Sequence, residues 1–400
     1  MNSRYRRINL DTFALSDEFA ILGNKPVVKK YKAGDVLKAK ELFDNQTLWP
    51  LNSNHFVLFG SSEYKVPMAS FSEPVKIQEK VDAGMKLISV VDPNLNVLWK
   101  KKVNSAKDDY AKFWPVASDK DVMVLKKQYL KPKKGQFSEY EVYNTTTGKL
   151  LTTLTNSNGK YRMFSDEVKF SDNEIVFYMT LFELKTKNHT SDKCIGYSKI
   201  VIDKNTGKEL RTDYFLWENL KPHLPVKDIY GNIPKYGNVI INDFVYLKNG
   251  NTIAIAEGYD SGSNTKLLDL YVMELDPEMK VKYFQKVEKQ PTSLKGDYSG
   301  FGLQRENLFD YAYSQKLDND GNFVFFYANN ERDGGTRAKR KNPNWVFGII
   351  TYVDGKFEYD KLQLTSKGSQ IYPGKAKNGY IRLLEVTEND SELRLEKINY

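Results

Sequence analysis

Cysteine is almost missing from this chain of 400 residues: Cys194 is the only one. A single thiol rules out an intrachain disulfide, a cysteine-based metal site and a CxxC redox pair. Cys194 is therefore read as an inert thiol, partly buried or in a loop, rather than as a nucleophile. Histidine is nearly as scarce. His55, His189 and His223 are scattered and match no metal-ligand spacing, so no cofactor is expected. Long apolar runs are lacking too. The longest, WVFGII at 345–350, falls far short of the roughly 20 residues of a membrane-spanning helix. The amino terminus, MNSRYRRINLDTF, has arginines but no apolar stretch behind them, so it is not a signal peptide as it stands. The compartment stays open: periplasmic or extracellular if a leader has been removed, cytoplasmic otherwise. The formal charge is +9, from 60 Lys and Arg against 51 Asp and Glu. The basic residues do not gather into one long run, so nucleic acid is not an expected partner, and the modest positive balance favours anionic partners.

Aromatic residues are abundant, with 26 Tyr and 22 Phe. Together with Val and Ile they provide for a packed core and lean toward strands. One pattern recurs: a short apolar or aromatic stretch, a small polar turn, then a second apolar run. It begins at Phe13, Leu48, Phe113, Val168, Val245, Gln315 and Gly374. The turns are built from Asn, Asp, Ser and Gly, which tolerate the positive φ of tight hairpins. A second hairpin follows most of the first ones, its turn opening with Asp or Asn, as in ISVVDPNLNVLWKKKV, IVIDKNTGKELRTDYF and YVMELDPEMKVKYFQKV. Four strands, A to D, repeated along the chain predict the blades of an all-β propeller.

Anchored on Leu15, Leu51, Val116, Phe170, Leu247, Leu317 and Ala376, the repeats number seven, with six as the alternative if the short first one fails. The last repeat ends at LRLEKINY, Leu393 to Tyr400, with no fourth strand after it. The amino-terminal RYRRINLD, Arg4 to Asp11, has the right length to supply that strand and close the ring, which would remove two exposed sheet edges. The expectation is one domain spanning 1–400, present as a monomer.

The stretches DPNLNVLWKKKV and IDKNTGKELRTD resemble the D-x-x-x-G-x-x-x-W blade turns of bacterial β-propellers of the quinoprotein-like and WD40-like kind. The resemblance spans most of the chain and is generic. It implies the turns and strands of a blade and carries no active-site motif. A sialidase-type Asp box and a tryptophan ladder suited to clamping a quinone are both missing. Such propellers mostly bind proteins, carbohydrates or small ligands, and fold alone does not choose among these.

Candidate site residues fall into three sets. Two B–C connections are basic: one holds Lys126, Lys127, Lys131, Lys133 and Lys134, the other Arg332, Arg337, Lys339, Arg340 and Lys341. They read as a rim for an anionic glycan or an acidic protein surface, or else as solvated loops. Near the start of each strand A lie Asp166, Asp243, Tyr313 and Tyr372, suited to a hydroxylated ligand or a cation, or to capping their own loops. Two long D–A connections, 217–238 and 288–309, are of the length that loops reach when they carry function. His223, in the first of these, is the one weak catalytic candidate. The reading is a non-enzymatic binding propeller that recognises its partner on the face of the long B–C and D–A loops. The alternatives are a lyase or hydrolase of acidic polysaccharide, using His223, a mouth tyrosine and an arginine of 332–340, and a structural subunit of a larger assembly.

Overall fold

The computed structural model describes residues 21–22, 25–26, 47–53, 55–61, 86–92, 96–103, 110–131, 135–186, 189–234, 237–317, 321–331, 344–364, 370–375, 380–386 and 391–397. The chain divides into two compact units, Met1–Asn156 with Asp203–Lys208, and Ser157–Ile202 with Glu209–Tyr400.

In the first unit a minimal hairpin pairs β1 (Ile21–Leu22) with β2 (Lys25–Pro26). One four-stranded sheet runs β3 (Thr47–Pro50), β4 (Phe56–Ser61), β5 (Lys86–Val91), β6 (Val97–Val103). A second runs β7 (Tyr110–Ser118), β8 (Val122–Lys131), β9 (Gly135–Asn144), β10 (Leu150–Thr155). Strands are hydrogen-bonded in chain order. Leu51, Val57, Ile88 and Val90 of the first sheet pack with Met123, Leu125 and Tyr143 of the second.

The second unit repeats the plan. Its sheets are β11 (Tyr161–Phe170), β12 (Glu174–Glu183), β13 (Gly196–Asp203), β14 (Glu209–Leu216); then β15 (Asn238–Tyr246), β16 (Thr252–Asp260), β17 (Lys266–Leu275), β18 (Val281–Val287), with the short β19 (Thr292–Ser293) added to β17. After these come β20 (Tyr311–Lys316), β21 (Phe323–Glu331), β22 (Asn344–Val353), β23 (Lys356–Leu364), and a three-stranded sheet of β24 (Gln370–Lys375), β25 (Tyr380–Val386), β26 (Ser391–Lys397). The described chain is thus nearly all β: four four-stranded antiparallel sheets, one of five strands, one of three and the minimal hairpin.

The burial pattern explains why these sheets stack. Second and third strands such as β12, β13 and β16 are buried along almost their whole length, while fourth strands such as β14 are largely open. A strand buried on both faces needs an apolar neighbour above and below it, and the continuous Val/Ile/Phe runs supply that. One core joins Val176, Tyr178 and Val201 to Phe244, Ala254 and Met273; the next joins Ile253, Ile255 and Val272 to Phe325 and Tyr352; a third joins Val324 and Phe326 to Ile381 and Leu383. Each fully buried side chain of this size contributes ~1.5–3 kcal/mol.

The first turn lies at the anchors Leu51, Leu247 and Leu317, each donating its N–H across it, but one residue after Phe170, at Ser171, and three after Val116, at Asp119. In the second turns the opening Asp or Asn accepts backbone N–H groups on its side chain: Asn96 onto Asp92, Thr147 onto Asn144, Thr206 onto Asp203 and Lys280 onto Asp276. These Asx interactions pin the hairpin locally, which is why its signature was visible in the sequence. Residues 4–11 and the anchors Leu15 and Ala376 lie outside the described residues. β26, which takes in the first five residues of LRLEKINY, pairs with β25.

Candidate functional site

In the second unit the first strands of successive sheets lie side by side, β11 beside β15, β15 beside β20, and β20 beside β24. Three of them carry a β-bulge at the same point ahead of the turn. Register skips Asp166 in β11, Asn242 in β15 and Ala312 in β20. A bulge leaves its residue without a ladder partner and re-aims the side chains around it. The residues that resume the ladder are Glu167, Asp243 and Tyr313, opposite Tyr178, Ile255 and Phe326.

Two of these form the heart of a polar cluster. Lys169 pairs with Glu167 and, at 3.3 Å, with Asp243 Oδ1. Asp243 Oδ2 accepts from the Tyr311 hydroxyl and, at 2.5 Å, from Ser314 Oγ. Glu167 Oε2 accepts the N–H of Phe244 at 2.9 Å. The cluster ties three neighbouring strands together. It also separates two carboxyls in acidity. Burial, and then the charge of Asp243, push Glu167 up to about 8 against the pull of Lys169. For Asp243 burial acts upward, but the Lys169 charge and the hydrogen bonds from Ser314, Tyr311 and Glu167 outweigh it and hold the group below the usual carboxylate range. Glu167 is thus the weaker acid of the two, and Asp243 is the standing counter-charge to Lys169.

Above the cluster lies a cleft of about 390 Å³. Glu167, Ile241, Asn242, Phe244, Tyr311 and Ala312 form its strand side, and Gln304, Arg305, Asn307 and Phe309 its loop side. The volume is in the range of small-molecule sites. Glu167 keeps 28% of its side-chain surface open. The Asn242 amide has both its nitrogen and its oxygen buried without a hydrogen-bond partner.

The loop side comes from the long connection between β18 and β20. Its short helix, Gly300–Arg305, is capped by Ser299, and Gln304 Nε2 donates to the carbonyl of Ile241 at 2.8 Å. Leu294, Tyr298, Phe301, Leu308 and Phe309 pack onto Ile240, Tyr259, Leu267 and Leu303, so the aromatics of this loop fold back on the sheet. Both ends of the loop are clamped by one buried ion cluster. Lys289 reaches Glu257 Oε1 at 3.0 Å and Asp310 Oδ2 at 2.6 Å, with Lys289 and Glu257 wholly shielded from solvent.

Of the residues singled out in the sequence, Asp243 lies in this cluster. Asp166 occupies the bulge of β11, one position from the true counterpart of Asp243, which is Glu167. The anchor on Phe170 put the frame one residue early, since the turn starts at Ser171; starting from the first turn residue recovers Glu167. Tyr313 is buried in the core shared with Phe326, Phe347 and Leu383 rather than facing an open mouth. Tyr372, on β24, is 52% exposed. His223 is exposed, its ring stacked 5.1 Å from Phe284.

The first basic connection begins later than expected. Lys126, Lys127 and Lys131 lie within β8, where Lys127 pairs at 3.6 Å with both Glu139 and Glu141 of β9. The strand runs on through Lys126 and Lys127 because the next strand answers them, Glu139 and Glu141 pairing with Lys127 and the Tyr140 ring lying under Lys126. Lys133, Arg337, Lys339 and Arg340 lie outside the described residues. Among the described residues no group of three His, Cys, Asp or Glu is placed to hold a metal ion, and no helix is long and apolar enough to cross a membrane.

A family model, described as a family of unknown function, DUF6770, matches residues 88–399, and the chain belongs to that family. No curated protein matches it. Solved structures that it is similar to include hydrazine synthase of Kuenenia stuttgartiensis, at 11% identity and TM-score 0.37 over 76% of this chain and 71% of that one. Another is the β-propeller domain of the trilobed protease of Pyrococcus furiosus, at 12% and 0.34 over 72% and 69%. A third is a variant of apocarotenoid oxygenase of Synechocystis, at 10% and 0.38 over 95% and 74%.

Proposed function

We propose that this member of a family of unknown function is a non-enzymatic, ligand-binding β-propeller whose site is the cleft over the bulged inner strands. The observation that carries the reading is the convergence, on one small-molecule-sized cleft, of a partly open carboxyl, an unpartnered amide and the ring of Phe309 on a clamped loop. Arg305, with 79% of its side chain exposed and its Nε 2.9 Å from Glu306 Oε1, stands at the rim, where a stronger anion can compete for it. That placement supports an acidic carbohydrate over a cationic ligand. Lys131, Lys133, Arg337, Lys339 and Arg340 are kept as candidates for a contact of their own with an anionic glycan or an acidic protein.

A hydrolytic role at this pair is disfavoured by its own geometry. Lys169 lies between Glu167 and Asp243 and pairs with both, whereas glycosidase carboxyls stand about 5–9.5 Å apart with the sugar or water in the gap. The six sheets are taken as consecutive blades of one ring, with a seventh from residues 13–43 and closure by residues 4–11 against β26.

The binding reading is tested by equilibrium titration with acidic oligosaccharides, comparing the native chain with Ala312→Trp, which fills the cleft, and Arg305→Ala. Binding lost in the first and weakened in the second supports it. Binding indifferent to both, or insensitive to salt, refutes it. The ring is tested by deleting residues 1–10; a truncated chain that melts with the intact one would exclude closure by that strand.

A further inference from the structure

We infer that Asn242 is the specificity-determining residue of the cleft, its amide reading a pair of neighbouring hydroxyls on a sugar ring. The inference rests on the cleft being a ligand site and names what occupies it.

Asn242 sits in the bulge of β15 between Ile241 and Asp243, so neither neighbouring strand dictates its side chain. Its counterparts in the adjoining strands, Asp166 and Ala312, occupy the same step of the pattern, and Ala312 leaves room at the cleft wall with its single methyl. An amide buried without partners keeps the full desolvation penalty of both its groups. The polar groups around it are already engaged: Glu167 with the Phe244 N–H and Lys169, Tyr311 with Asp243, and Gln304 with the Ile241 carbonyl. What the amide offers is a donor and an acceptor side by side. Hydroxyls both donate and accept, so two adjacent ones satisfy Nδ2 and Oδ1 together. A carboxylate satisfies only the donor, and an ammonium only the acceptor.

The surroundings agree with a sugar. Phe309, half-buried, lines the same cleft and offers an apolar face to the C–H surface of a ring. Glu167, with 28% of its side chain open, can take a further hydroxyl. Gln304 stands at the bulge, so a ligand that reaches Asn242 exchanges the bond from Gln304 to the Ile241 carbonyl for its own contacts.

The experiment has two arms on the full chain. Without ligand, thermal unfolding of Asn242→Leu and Asn242→Ala is compared with the native protein. At least one variant is expected to melt at the native temperature or a few degrees above it, because removing an unsatisfied amide relieves its cost. If both melt more than about 5 °C lower, the amide is satisfied from within and the inference falls. In the second arm, glucose, galactose, glucuronate and N-acetylglucosamine are screened by thermal shift, with glycerol as the acyclic control. At least one cyclic sugar is expected to stabilise the native chain, with affinity falling tenfold or more in Asn242→Leu and in Asn242→Asp, which keeps the acceptors and loses the donor. A sugar shift that persists in Asn242→Leu overturns the role of Asn242. If the sugars fail but a mixed set of other metabolites gives a shift abolished by Ala312→Trp, the cleft reading survives and the sugar assignment is wrong. If no compound gives a shift that Ala312→Trp abolishes, both fail.

Discussion

Replacing Lys289 by Met tests whether the loop over the cleft is held by a buried ion cluster. Lys289 Nζ lies between two carboxylates, 3.0 Å from Glu257 and 2.6 Å from Asp310. Asp310 Oδ2 also accepts from Thr292 at 2.8 Å and Asn329 at 3.1 Å, and Glu257 accepts the Tyr311 N–H at 3.1 Å. Those bonds survive the substitution; the cation does not. Two acids of like charge are then left close together and out of water. Breaking a buried pair from one side costs about 3–5 kcal/mol. For a unit of this size that is a drop in melting temperature of roughly 6–20 °C.

The cost depends on pH, and its sign can be worked out. Burial raises Glu257, Lys289 pulls it down and Asp310 pushes it up, leaving it at about 7 in the native protein. Without Lys289 the downward pull vanishes, and the folded carboxyl titrates higher still. A carboxyl whose folded value exceeds its unfolded one, near 4.3, gives stability that is fully present below the unfolded value and lost as pH rises through the folded one. Lys289→Met is therefore expected to be mildly destabilised at pH 5 and severely at pH 8.5, by melts followed with circular dichroism. Hydrogen exchange should increase first in 289–310. A loss that is equal at the two pH values, or below about 1 kcal/mol at pH 8.5, would refute the buried-cluster argument.

Gly231 has φ +74°, and a Cβ there would meet the buried ring of Trp217 at 2.8 Å; Gly159 has φ +82° with nothing within 4 Å. Gly231→Ala should therefore cost about 2–4 kcal/mol in chemical denaturation and Gly159→Ala about 1 kcal/mol, and equal costs would mean that packing on Trp217 is immaterial. Burial, followed by the charge of Arg211, lowers Lys199 to about 8. Its folded value lies below its unfolded one, so the native protein should gain stability as pH rises from 8 towards 10, and Lys199→Met should melt higher at pH 7 and lose that rise. Glu167, raised to about 8, should make stability fall as pH climbs from about 4.5 towards 8; a Glu167→Gln variant with the same slope over that window would show that another group titrates there.

The turns were legible because their chemistry is local. Asp203 accepts N–H groups from Asn205 and Thr206, two and three residues ahead, so the hairpin is written in a single stretch of sequence. The bulges are not written that way. A bulge is a relation between two strands, and the residues around Asn242 alternate no differently from those of an unbroken strand until Ala256 and Ile255 are set opposite Ile241 and Asp243. That is why Asp166 stood where Glu167 belongs. Lys127 was misread for the same reason: a basic residue looks like a loop until Glu139 and Glu141 appear across the strand pair. Glu257, Lys289 and Asp310 carried no signal, since a buried lysine is indistinguishable in sequence from a solvated one. The site is thus assembled from features that exist only once strands are paired, while the scaffold is assembled from features that exist before. It follows that a chain could keep every turn residue, fold into the same sheets, and lose the cleft through one-residue slips in β11, β15 or β20. Deleting Asn242, which removes the bulge but spares the turn at Leu247, puts this to the test: the sheet should still form, with its strand content by circular dichroism unchanged, and ligand binding should vanish. Loss of the whole fold would mean that the bulge belongs to the scaffold rather than to the site.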